Sequence, residues 1–350
     1  MRLAVYGASG YQAKLVLTEL SRRGIDAVLV GRDAERLRQA ATAVGVIDRE
    51  RRIAALDDHA ALVAGFAGCD AVVNCAGPFT GTGQAVVRAA LDAGCHYVDT
   101  AGEQRYLKTI FDTFADDAGR AGVTVVPATN DGCLPVDLIA HVVAGRLPSI
   151  AEITTSHVIA DGGAPSRGSL RSALRTIDAL ASGGLVYDRG EWRTGLAARH
   201  TSVVLPGTSE PTGMAAFPLA EVVTIPRHVP VDHVESLVEA SLSARLSTPL
   251  SAELIDTLPE GPTEQARLAQ RFTCVVDATS AGGRAVRGLV RGTDTYGTTA
   301  VIAVEAARRL VTDGAKPGVL APSQAFDPVD FLDFLTAHGL RWSIDTGSHR

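Results

Sequence analysis

Residues 3–13 read LAVYGASGYQA and decide the fold. The apolar run ends in Gly7, which predicts a strand followed by a tight turn into a helix. Gly10 allows the backbone to approach a diphosphate group, and the small Ala13 allows the helix to pack closely on the sheet. Although Ala8 stands where the usual fingerprint has a glycine, this arrangement predicts a dinucleotide site whose phosphates face the positive end of the helix. The candidate cofactor-binding residues of this turn are Gly7, Ala8, Ser9, Gly10 and Tyr11.

Strand and helix patterns alternate through the first third of the chain. The predicted strands are residues 3–6, 27–30, 53–55, 71–74, 97–99 and 124–127. The predicted helices between them are residues 11–23, 34–43, 60–67, 84–93 and 104–121. This alternation predicts an α/β domain with a doubly wound parallel sheet of the Rossmann type, which binds its ligand beyond the carboxyl ends of the strands.

The residue after the second predicted strand favours NADP(H) over NAD. An NAD site carries an acidic residue there, about 20 residues after the glycine turn, which accepts hydrogen bonds from the ribose. This chain has Arg32, whose guanidinium suits the 2′-phosphate of NADP, and Arg36 is a further candidate for the same contact. The alternative is that Arg32 is a solvated surface side chain. Asp33 comes one residue later and is a candidate cap for the following helix.

Small and polar residues follow the fourth, fifth and sixth predicted strands. Because the carboxyl ends of parallel strands meet at one edge, we expect these residues to face the same crevice. Small residues there let a ribose and a nicotinamide lie against the backbone. The alternatives are an ordinary turn at Pro78, helix capping by Asp99 and turn formation by residues 130–132. The candidate cofactor-binding residues are Asn74, Cys75, Ala76, Gly77, Pro78, Asp99 and Asn130.

The pattern after Pro135 is typical of an α+β region on a mostly antiparallel or mixed sheet. Its predicted strands are residues 152–160, 201–205, 221–225, 272–278 and 285–291. Its predicted helices are residues 168–183, 298–312 and 327–338, with loops at 206–218 and 257–262. We therefore predict an NADP-binding domain over residues 1–132, a substrate or dimerisation domain over 133–295, and helices within 296–350 that pack back on the first domain.

Composition limits the classes of partner. The chain has 350 residues, a net charge of −6 and no dense run of Lys or Arg, which argues against nucleic acid or an anionic membrane. We find no signal-peptide pattern and no apolar run of roughly 18 residues, so we expect a cytoplasmic protein. Five cysteines without metal-ligand spacing predict reduced thiols and no metal site.

These motifs resemble those of the saccharopine dehydrogenase-like NADP-binding reductases, in particular a branch that contains trans-acting enoyl reductases. The stretches that carry the resemblance are residues 7–14, 29–36, 72–79, 94–103 and 130–138, with weaker similarity over 165–170 and 321–335. The resemblance implies a nicotinamide-dependent reductase with a Rossmann domain, a substrate domain on a mixed sheet and often a homodimer. In the motif after the sixth strand, Asp131, Pro135 and Asp137 match the relatives. The Phe and Ser that the relatives have in this motif are replaced here by other residues.

Hydride transfer is chemistry that the cofactor supplies, so the absence of a nucleophile or metal motif is expected. No tyrosine has a lysine four residues later, which argues against the mechanism of short-chain dehydrogenases. We predict an NADP-dependent reductase that transfers hydride to a C=N (imine) or activated C=C (enoyl) bond of a small-molecule metabolite. The alternative is a non-catalytic NADPH sensor, although a large second domain favours an enzyme.

A proton donor is sought among the polar residues of the crevice and the second domain. Arg167 and Arg171, one helical turn apart, form a possible clamp for a carboxylate or phosphate, or else a solvated helix face. Tyr187, His157 and His200 of the second domain are possible donors, and for each the alternative is a structural role. The candidate catalytic residues are Asp131, Tyr187 and His157.

Overall fold

The computed structural model describes residues 1–161, 164–246 and 250–345. Strands and helices alternate in its first part. The strands are β1 (Arg2–Tyr6), β2 (Asp26–Gly31), β3 (Arg51–Ile53), β4 (Ala71–Asn74), β5 (His96–Asp99) and β6 (Thr124–Val126). The helices are α1 (Tyr11–Arg22), α2 (Ala34–Ala43), α3 (His59–Phe66), α4 (Gly83–Asp92) and α5 (Gln104–Ala121). Each lies within two residues of its predicted bounds, because continuous apolar runs mark strands that are covered on both faces.

Between β6 and Thr293 the described residues form seven α-helices and eight strands. The helices are α6 (Leu134–Ala144), α7 (Arg167–Arg175), α8 (Ile177–Ala181), α9 (Glu221–Thr224), α10 (Ala240–Leu246), α11 (Ala252–Thr257) and α12 (Glu264–Ala269). The strands are β7 (Ile150–Ala160), β8 (Leu185–Asp188), β9 (Glu191–Thr194), β10 (Ser202–Val204), β11 (Pro211–Ala216), β12 (Val231–Glu239), β13 (Arg271–Thr279) and β14 (Ala285–Thr293). The last described elements are α13 (Thr295–Thr312), β15 (Gly318–Val319), α14 (Pro322–Ala325), α15 (Pro328–Thr336) and β16 (Arg341–Asp345).

The first sheet is parallel and has the strand order β15-β6-β5-β4-β1-β2-β3. Leu3, Ala4 and Val5 of β1 are fully buried, as expected for a central strand with helices on both faces. The chain changes direction across the sheet between β1 and β4, and a crevice opens there beyond the carboxyl ends of the strands. The predicted doubly wound α/β fold is confirmed, and the glycine turn lies at its switch point.

The second sheet is mixed, which confirms that part of the predicted fold class. Its strand order is β10-β11-β12-β7-β13-β14-β16, and β8 also pairs with β12. Only the pairing of β7 with β12 is parallel among these described strands. One face of β7 packs Ile153 into the main core, and the other face carries polar residues that include Glu152 and Thr154.

The last part of the chain contacts both sheets. Helix α13 packs beside α1, and a buried ion pair joins Arg23 to Glu305 at 2.6 Å. Strand β15 pairs in parallel with β6, whereas β16 pairs with β14 of the second sheet. Residues 346–350 of the segment predicted to pack back lie outside the described residues. No helix of the described residues is both long and apolar enough to cross a membrane.

Three predictions in the second region are wrong. Residues 221–225 were expected to form a strand, but they form α9 and the start of a 3-10 turn over Ile225–Arg227. Short apolar runs do not distinguish strand from buried helix, and Pro226 removes the N–H that a central strand would use. The predicted helix over 168–183 is divided at Thr176 into α7 and α8, and the predicted loop over 206–218 contains β11.

Candidate cofactor and active site

The turn between β1 and α1 requires glycine. Gly7 has a φ of +73°, and a Cβ at this position would lie 2.8 Å from the Cβ of Ala76. Gly10 is the N-cap of α1 and supplies no side-chain hydrogen bond, whereas Asp33 and Asp58 cap α2 and α3. The first N–H groups of α1 therefore face the crevice without a side-chain acceptor, which is the arrangement that binds phosphate groups.

Two other candidates of the turn have protein partners. The backbone N–H of Ala8 donates to the carbonyl of Val30 at 3.2 Å. The hydroxyl of Tyr11 donates to the carbonyl of Pro262 at 2.7 Å, and burial raises the pKa of Tyr11 to about 12. A Cβ on Gly261 would lie 2.6 Å from the Tyr11 ring, so this loop packs directly over the start of α1. The second region thus closes one side of the glycine turn.

Arg32 and Arg36 are exposed arginines at the end of β2 and the start of α2. Neither guanidinium has a hydrogen-bonded partner among residues 1–161, 164–246 and 250–345. Arg38 is different, because both of its hydrogen bonds, at 2.6 and 2.8 Å, go to Glu35. Asp33 accepts the backbone N–H of Arg36 at 3.0 Å and takes the capping role that the sequence had left open. The two uncommitted guanidinium groups can therefore accept an anion.

A recess of about 280 Å³ lies beside these residues and carries three cationic side chains. Lys14 is paired with Glu260 at 2.6 Å, while Arg36 and Arg167 line the same recess. Arg167 comes from α7, so the region beyond the first sheet adds a positive charge here. The predicted clamp of Arg167 and Arg171 contacts the protein itself, because Arg171 forms an ion pair with the Asp256 carboxylate and Arg167 donates to the Asp256 carbonyl at 3.4 Å. The remaining polar lining residues are Ser9 and Gln39.

The loop after β4 is fixed by the hydrogen bonds of the buried Asn74 and faces α7 across the crevice. Asn74 is fully buried; its amide donates to the Tyr97 hydroxyl at 2.9 Å, and its Oδ1 accepts the N–H of Ala76 at 2.9 Å. The Gly77–Pro78 peptide bond is cis. A Cβ on Gly77 would lie 3.3 Å from Ser172 Oγ of α7, so only a small residue fits this approach.

Two further residues define the environment of that loop. Burial raises the pKa of the Cys75 thiol, so it is not a thiolate nucleophile. Glu103, which sequence reasoning missed, accepts the N–H groups of Phe79 and Thr80 at 2.9 and 2.7 Å. Glu103 is 7% exposed, and an acid four residues after the end of a predicted buried strand is the sequence signal that could have found it.

Asp99 is a structural acceptor at the end of β5. It accepts hydrogen bonds from the hydroxyls of Tyr97 and Tyr106 at 3.0 and 2.6 Å. It also accepts the N–H groups of Ala101 and Ala128 at 3.1 and 2.8 Å. Burial raises its pKa, and these four donors oppose that shift. Asp99 therefore does not cap a helix, which was the alternative interpretation. Its hydrogen bonds connect the end of β5 to the end of β6.

Asn130 forms the turn after β6. Its Oδ1 accepts the N–H groups of Gly132 and Cys133 at 2.9 and 2.8 Å, and its amide donates to the carbonyl of Ala101 at 2.6 Å. The side chain of Asn130 therefore stabilises the turn, as in the alternative interpretation of residues 130–132. By satisfying these groups, Asn130 fixes the direction in which the next residue points.

Asp131 is the one predicted catalytic residue at the carboxyl edge of the first sheet. Its Oδ1 accepts the hydroxyl of Thr299 at 2.8 Å, and its backbone N–H donates to the same hydroxyl oxygen at 3.0 Å. Burial raises the pKa of Asp131 to about 6, while Thr299 and the charge of His157 act in the opposite direction. A carboxyl group with this pKa exchanges protons near neutral pH.

His157 of β7 lies against the same turn. A Cβ on Gly132 would be 4.0 Å from the Cε1 atom of His157. The His157 Nε2 lies 2.8 Å from Glu221 Oε1, and its Nδ1 lies 3.4 Å from Cys274 Sγ. Burial alone would lower the pKa of His157, but Cys274 and the Glu221 carboxylate raise it well above its ordinary value. The structure therefore brings Asp131 and His157 together.

Tyr187 is not part of this group. It lies on β8 opposite Val234 of β12, four residues before Val238, which lies opposite His157. Four strand residues correspond to about 13 Å. The Tyr187 ring packs edge-on against Trp192 with 5.1 Å between ring centroids. His200 also lies elsewhere, in contact with Glu152 on the second sheet.

Sequence reasoning missed Glu221 and Thr299 at the active-site candidate. Glu221 is 1% exposed and accepts hydrogen bonds from Thr155 and His157, each at 2.8 Å. The signal was available, since a lone acid in the apolar run Leu219–Val223 is unusual unless it has a buried partner. Thr299 gave no such signal because threonine is common in helices and turns alike.

The chain is similar to several known proteins. The family model for the saccharopine dehydrogenase NADP binding domain matches residues 3–126. A trans-acting enoyl reductase of Mycobacterium tuberculosis is 30% identical over 140 residues, which are 39% of this chain and 34% of that protein. The saccharopine dehydrogenase-like oxidoreductase of Homo sapiens is 24% identical over 198 residues, 49% of this chain and 45% of that protein.

A solved structure shares the whole architecture. Apo saccharopine dehydrogenase (L-Glu forming) from Saccharomyces cerevisiae covers 98% of this chain and 99% of its own, with a TM-score of 0.61 and 15% identity. This likeness concerns the fold. The chain spans less than half the length of the curated relatives it matches. The resemblance seen in the motifs is confirmed for residues 3–126, which match the NADP-binding domain of saccharopine dehydrogenases, and the predicted cofactor NADP(H) is confirmed with it.

Proposed function

We propose that the protein is an NADPH-dependent reductase that transfers hydride to a C=N (imine) or activated C=C (enoyl) bond of a small-molecule metabolite. The observation that carries this proposal is the juxtaposition of Asp131, whose pKa is about 6, with the buried pair of His157 and Glu221. Asp131 lies at the edge of the first sheet that also presents the glycine turn, and His157 and Glu221 approach it from β7 and α9. A cofactor-binding edge and a proton-exchanging group are the two parts that such a reduction needs.

The residues present fit an NADP(H) molecule. The uncapped start of α1 would bind the diphosphate; Gly7 permits the close approach of Ala76 at this turn, and Gly10 presents no side chain to the phosphates. The guanidinium of Arg32 would bind the 2′-phosphate, with Arg36 and Arg167 adding positive charge from the adjoining recess. Bound NADPH supplies the hydride. The loop from Asn74 to Pro78 would form the wall beside the nicotinamide.

Asp131 would hold the proton that completes the reduction. At pH 7, a carboxyl group with a pKa of about 6 is protonated in about a tenth of the molecules, enough for a general acid that is reprotonated between turnovers. Thr299 orients the carboxyl group through its hydrogen bond of 2.8 Å. The positive charge on His157, maintained by Glu221, would favour an anion that develops on the substrate. In this proposal Tyr187 has no chemical role.

The two bond types have different support. The relatives of the Mycobacterium tuberculosis type are named enoyl reductases, which supports a C=C bond. The polar character of Asp131, His157 and Glu221 supports a charged group near the reacting bond, as in an imine of an amino acid. We therefore keep both bond types, with residues 1–132 as cofactor domain and 133–295 as substrate domain, in a cytoplasmic homodimer as the resemblance implies.

Turnover with two matched substrate panels tests the proposal. Cyclic imines and enoyl thioesters would each be mixed with NADPH, and oxidation would be followed by absorbance. We expect turnover in one panel, and Asp131→Asn should lower kcat by about 100-fold or more while the NADPH Kd stays unchanged. Asp116→Asn, an exposed acid on α5, is the control and should behave as the wild type. NADPH binding without turnover in either panel would instead favour a sensor, and the proposal would be wrong.

A further inference from the structure

Two histidines and two glutamates lie together on the second sheet, outside the active-site candidate. Glu152 is near the start of β7, five residues before His157, and His200 precedes β10. One ligand atom each from Glu152, His200 and Glu235 lie within 4.8 Å of one another. Imidazole nitrogens and carboxylate oxygens at such distances are the donor set that Zn²⁺ prefers outside cysteine sites.

The strand register makes this grouping a property of the fold. Glu152 of β7 lies directly opposite His233 of β12. Glu235 is two residues further along β12, so its side chain is on the same face as His233. His200 is held over this face because its N–H donates to Glu235 Oε1 at 3.1 Å. Three chain segments therefore converge on one point of the sheet.

His233 supplies an independent sign of a missing cation. It is 2% exposed, and its Nε2 has no hydrogen-bond partner. Its Nδ1 lies 3.3 Å from Asp188 Oδ1, and a proton on Nδ1 in this contact leaves the lone pair of Nε2 free to bind a metal ion. Nε2 faces Glu235 Oε2 at 3.5 Å, and the same oxygen accepts the backbone N–H of Arg199 at 2.8 Å.

The distance between these two atoms also fits a shared ion. A separation of 3.5 Å is too long for a hydrogen bond. Two ligands at about 2.1 Å from one tetrahedral Zn²⁺ are about 3.4 Å apart. The contact between His233 and Asp188 is the hydrogen bond from the second ring nitrogen to a carboxylate that orients most metal-bound histidines.

We propose that Glu152, His200 and Glu235, whose ligand atoms already lie together, bind one Zn²⁺ ion, and that His233 moves in from its place beside Glu235 to complete a four-coordinate structural site. Two carboxylates balance the charge of the ion, and two neutral imidazoles complete the tetrahedron. The proton shared by His200 and Glu152 would be released when the metal binds. Four protein ligands leave no open position, so the ion would fasten the segment around His200 to β7 and β12.

Arg199 is compatible with this site. It donates to Glu152 Oε2 at 2.9 Å and to Asp188 Oδ1 at 3.1 Å, which leaves Glu152 Oε1 directed at His200. Burial opposes ionisation of Glu152, but the hydrogen bonds from Arg199 and His200 lower its pKa below the ordinary value. Glu152 is thus an anionic ligand, and Arg199 supports it from outside.

Zinc titration of the full-length protein, free of any affinity tag and stripped with a chelator, tests the site. A chromophoric chelator would report competition for Zn²⁺, and atomic emission would give the stoichiometry. We expect one Zn²⁺ per chain with a Kd below about 1 μM, and no competition from Mg²⁺, which prefers octahedral oxygen ligands. His200→Ala, at an exposed position that the fold tolerates, should weaken binding by about 100-fold or more.

Two further variants separate a site from general histidine affinity. His59→Ala removes an exposed histidine that is paired with Asp92, and it should bind Zn²⁺ as the wild type does. Asp188→Asn keeps all four ligands and should weaken binding by about 10-fold. The proposal is overturned if the folded wild type takes up no Zn²⁺ at about 0.1 mM, or if His200→Ala and His59→Ala bind it equally. Neither result bears on the reductase proposal.

Discussion

Two groups of polar residues at the carboxyl edge of the first sheet differ in one respect. At the ends of β4 and β5, Asn74 and Asp99 are fully buried and use their side chains in protein hydrogen bonds. At the ends of β1 and β2, the start of α1 is uncapped and Arg32 has no hydrogen-bonded partner within the described ranges. The first group holds strand ends together, and the second is available to a ligand. Both groups lie at the same edge, so their position does not distinguish the two roles. The roles are distinguished by whether the polar groups already have hydrogen-bond partners within the protein.

The largest effect is expected at the ligand-facing group. Gly10→Val places a branched side chain where the diphosphate must lie, and even a Cβ there would be 3.2 Å from the Gly7 carbonyl oxygen. We expect NADPH affinity to fall by about 1,000-fold with the fold retained, as measured by fluorescence titration and circular dichroism. Gly119→Val, at an exposed glycine of α5 with open space around it and no positive φ, is the control for a generic glycine effect. Retained NADPH affinity in Gly10→Val would contradict the assignment of the turn.

The buried group at the ends of β4 and β5 should instead affect the stability of the fold. Asp99→Ala leaves four donors without their acceptor, and we expect the free energy of unfolding to fall by about 3 kcal/mol or more in urea denaturation. Asp33→Ala removes a helix cap and should cost about 1 kcal/mol. Equal losses in the two variants would remove the distinction between a structural hub and an ordinary cap.

Arg32 tests cofactor choice. Arg32→Ala should weaken NADPH binding by about 10- to 100-fold and leave NADH binding nearly unchanged, because only NADPH carries the 2′-phosphate. Arg38→Ala is the matched control, since that arginine is already paired with Glu35, three residues earlier. Similar losses for both dinucleotides in Arg32→Ala would place Arg32 outside the phosphate contact.

The smallest effect concerns the pH dependence of stability at Asp131. Its pKa is about 6 in the folded protein and near 3.8 when unfolded, so the folded state holds the proton more tightly. Asp131 therefore costs stability above pH 6, and the cost disappears as the pH falls below 4. Asp131→Asn should be more stable than the wild type by about 1–2 kcal/mol at pH 8 and equal to it at pH 4. A lower stability at pH 8 would show that burial does not dominate this carboxyl group.

The first domain was predictable because its signals are local. Buried parallel strands read as continuous apolar runs, and the turn at Gly7 must be glycine whatever surrounds it. The position of Asp131 after β6 could likewise be predicted, since it follows from strand order alone. The residues that share its surroundings could not be predicted in this way.

The remaining site depends on contacts between distant segments. His157 and Glu221 are 64 residues apart, and they meet because a strand of the second sheet faces a short helix that was predicted as a strand. Tyr187 has the same residue chemistry that made it a candidate, yet the pairing of β8 with β12 places it away from Asp131. The zinc-ligand candidates have no recognisable spacing in the chain, because they converge only through the register of β7 with β12.

A crystal structure with NADP⁺ bound tests the central claim most directly. We predict the diphosphate at the uncapped start of α1, the 2′-phosphate against Arg32, and the nicotinamide in the crevice shared by the β4 loop and Asp131. A crevice that stays empty at saturating NADP⁺, or a dinucleotide bound elsewhere on the protein, would contradict the account.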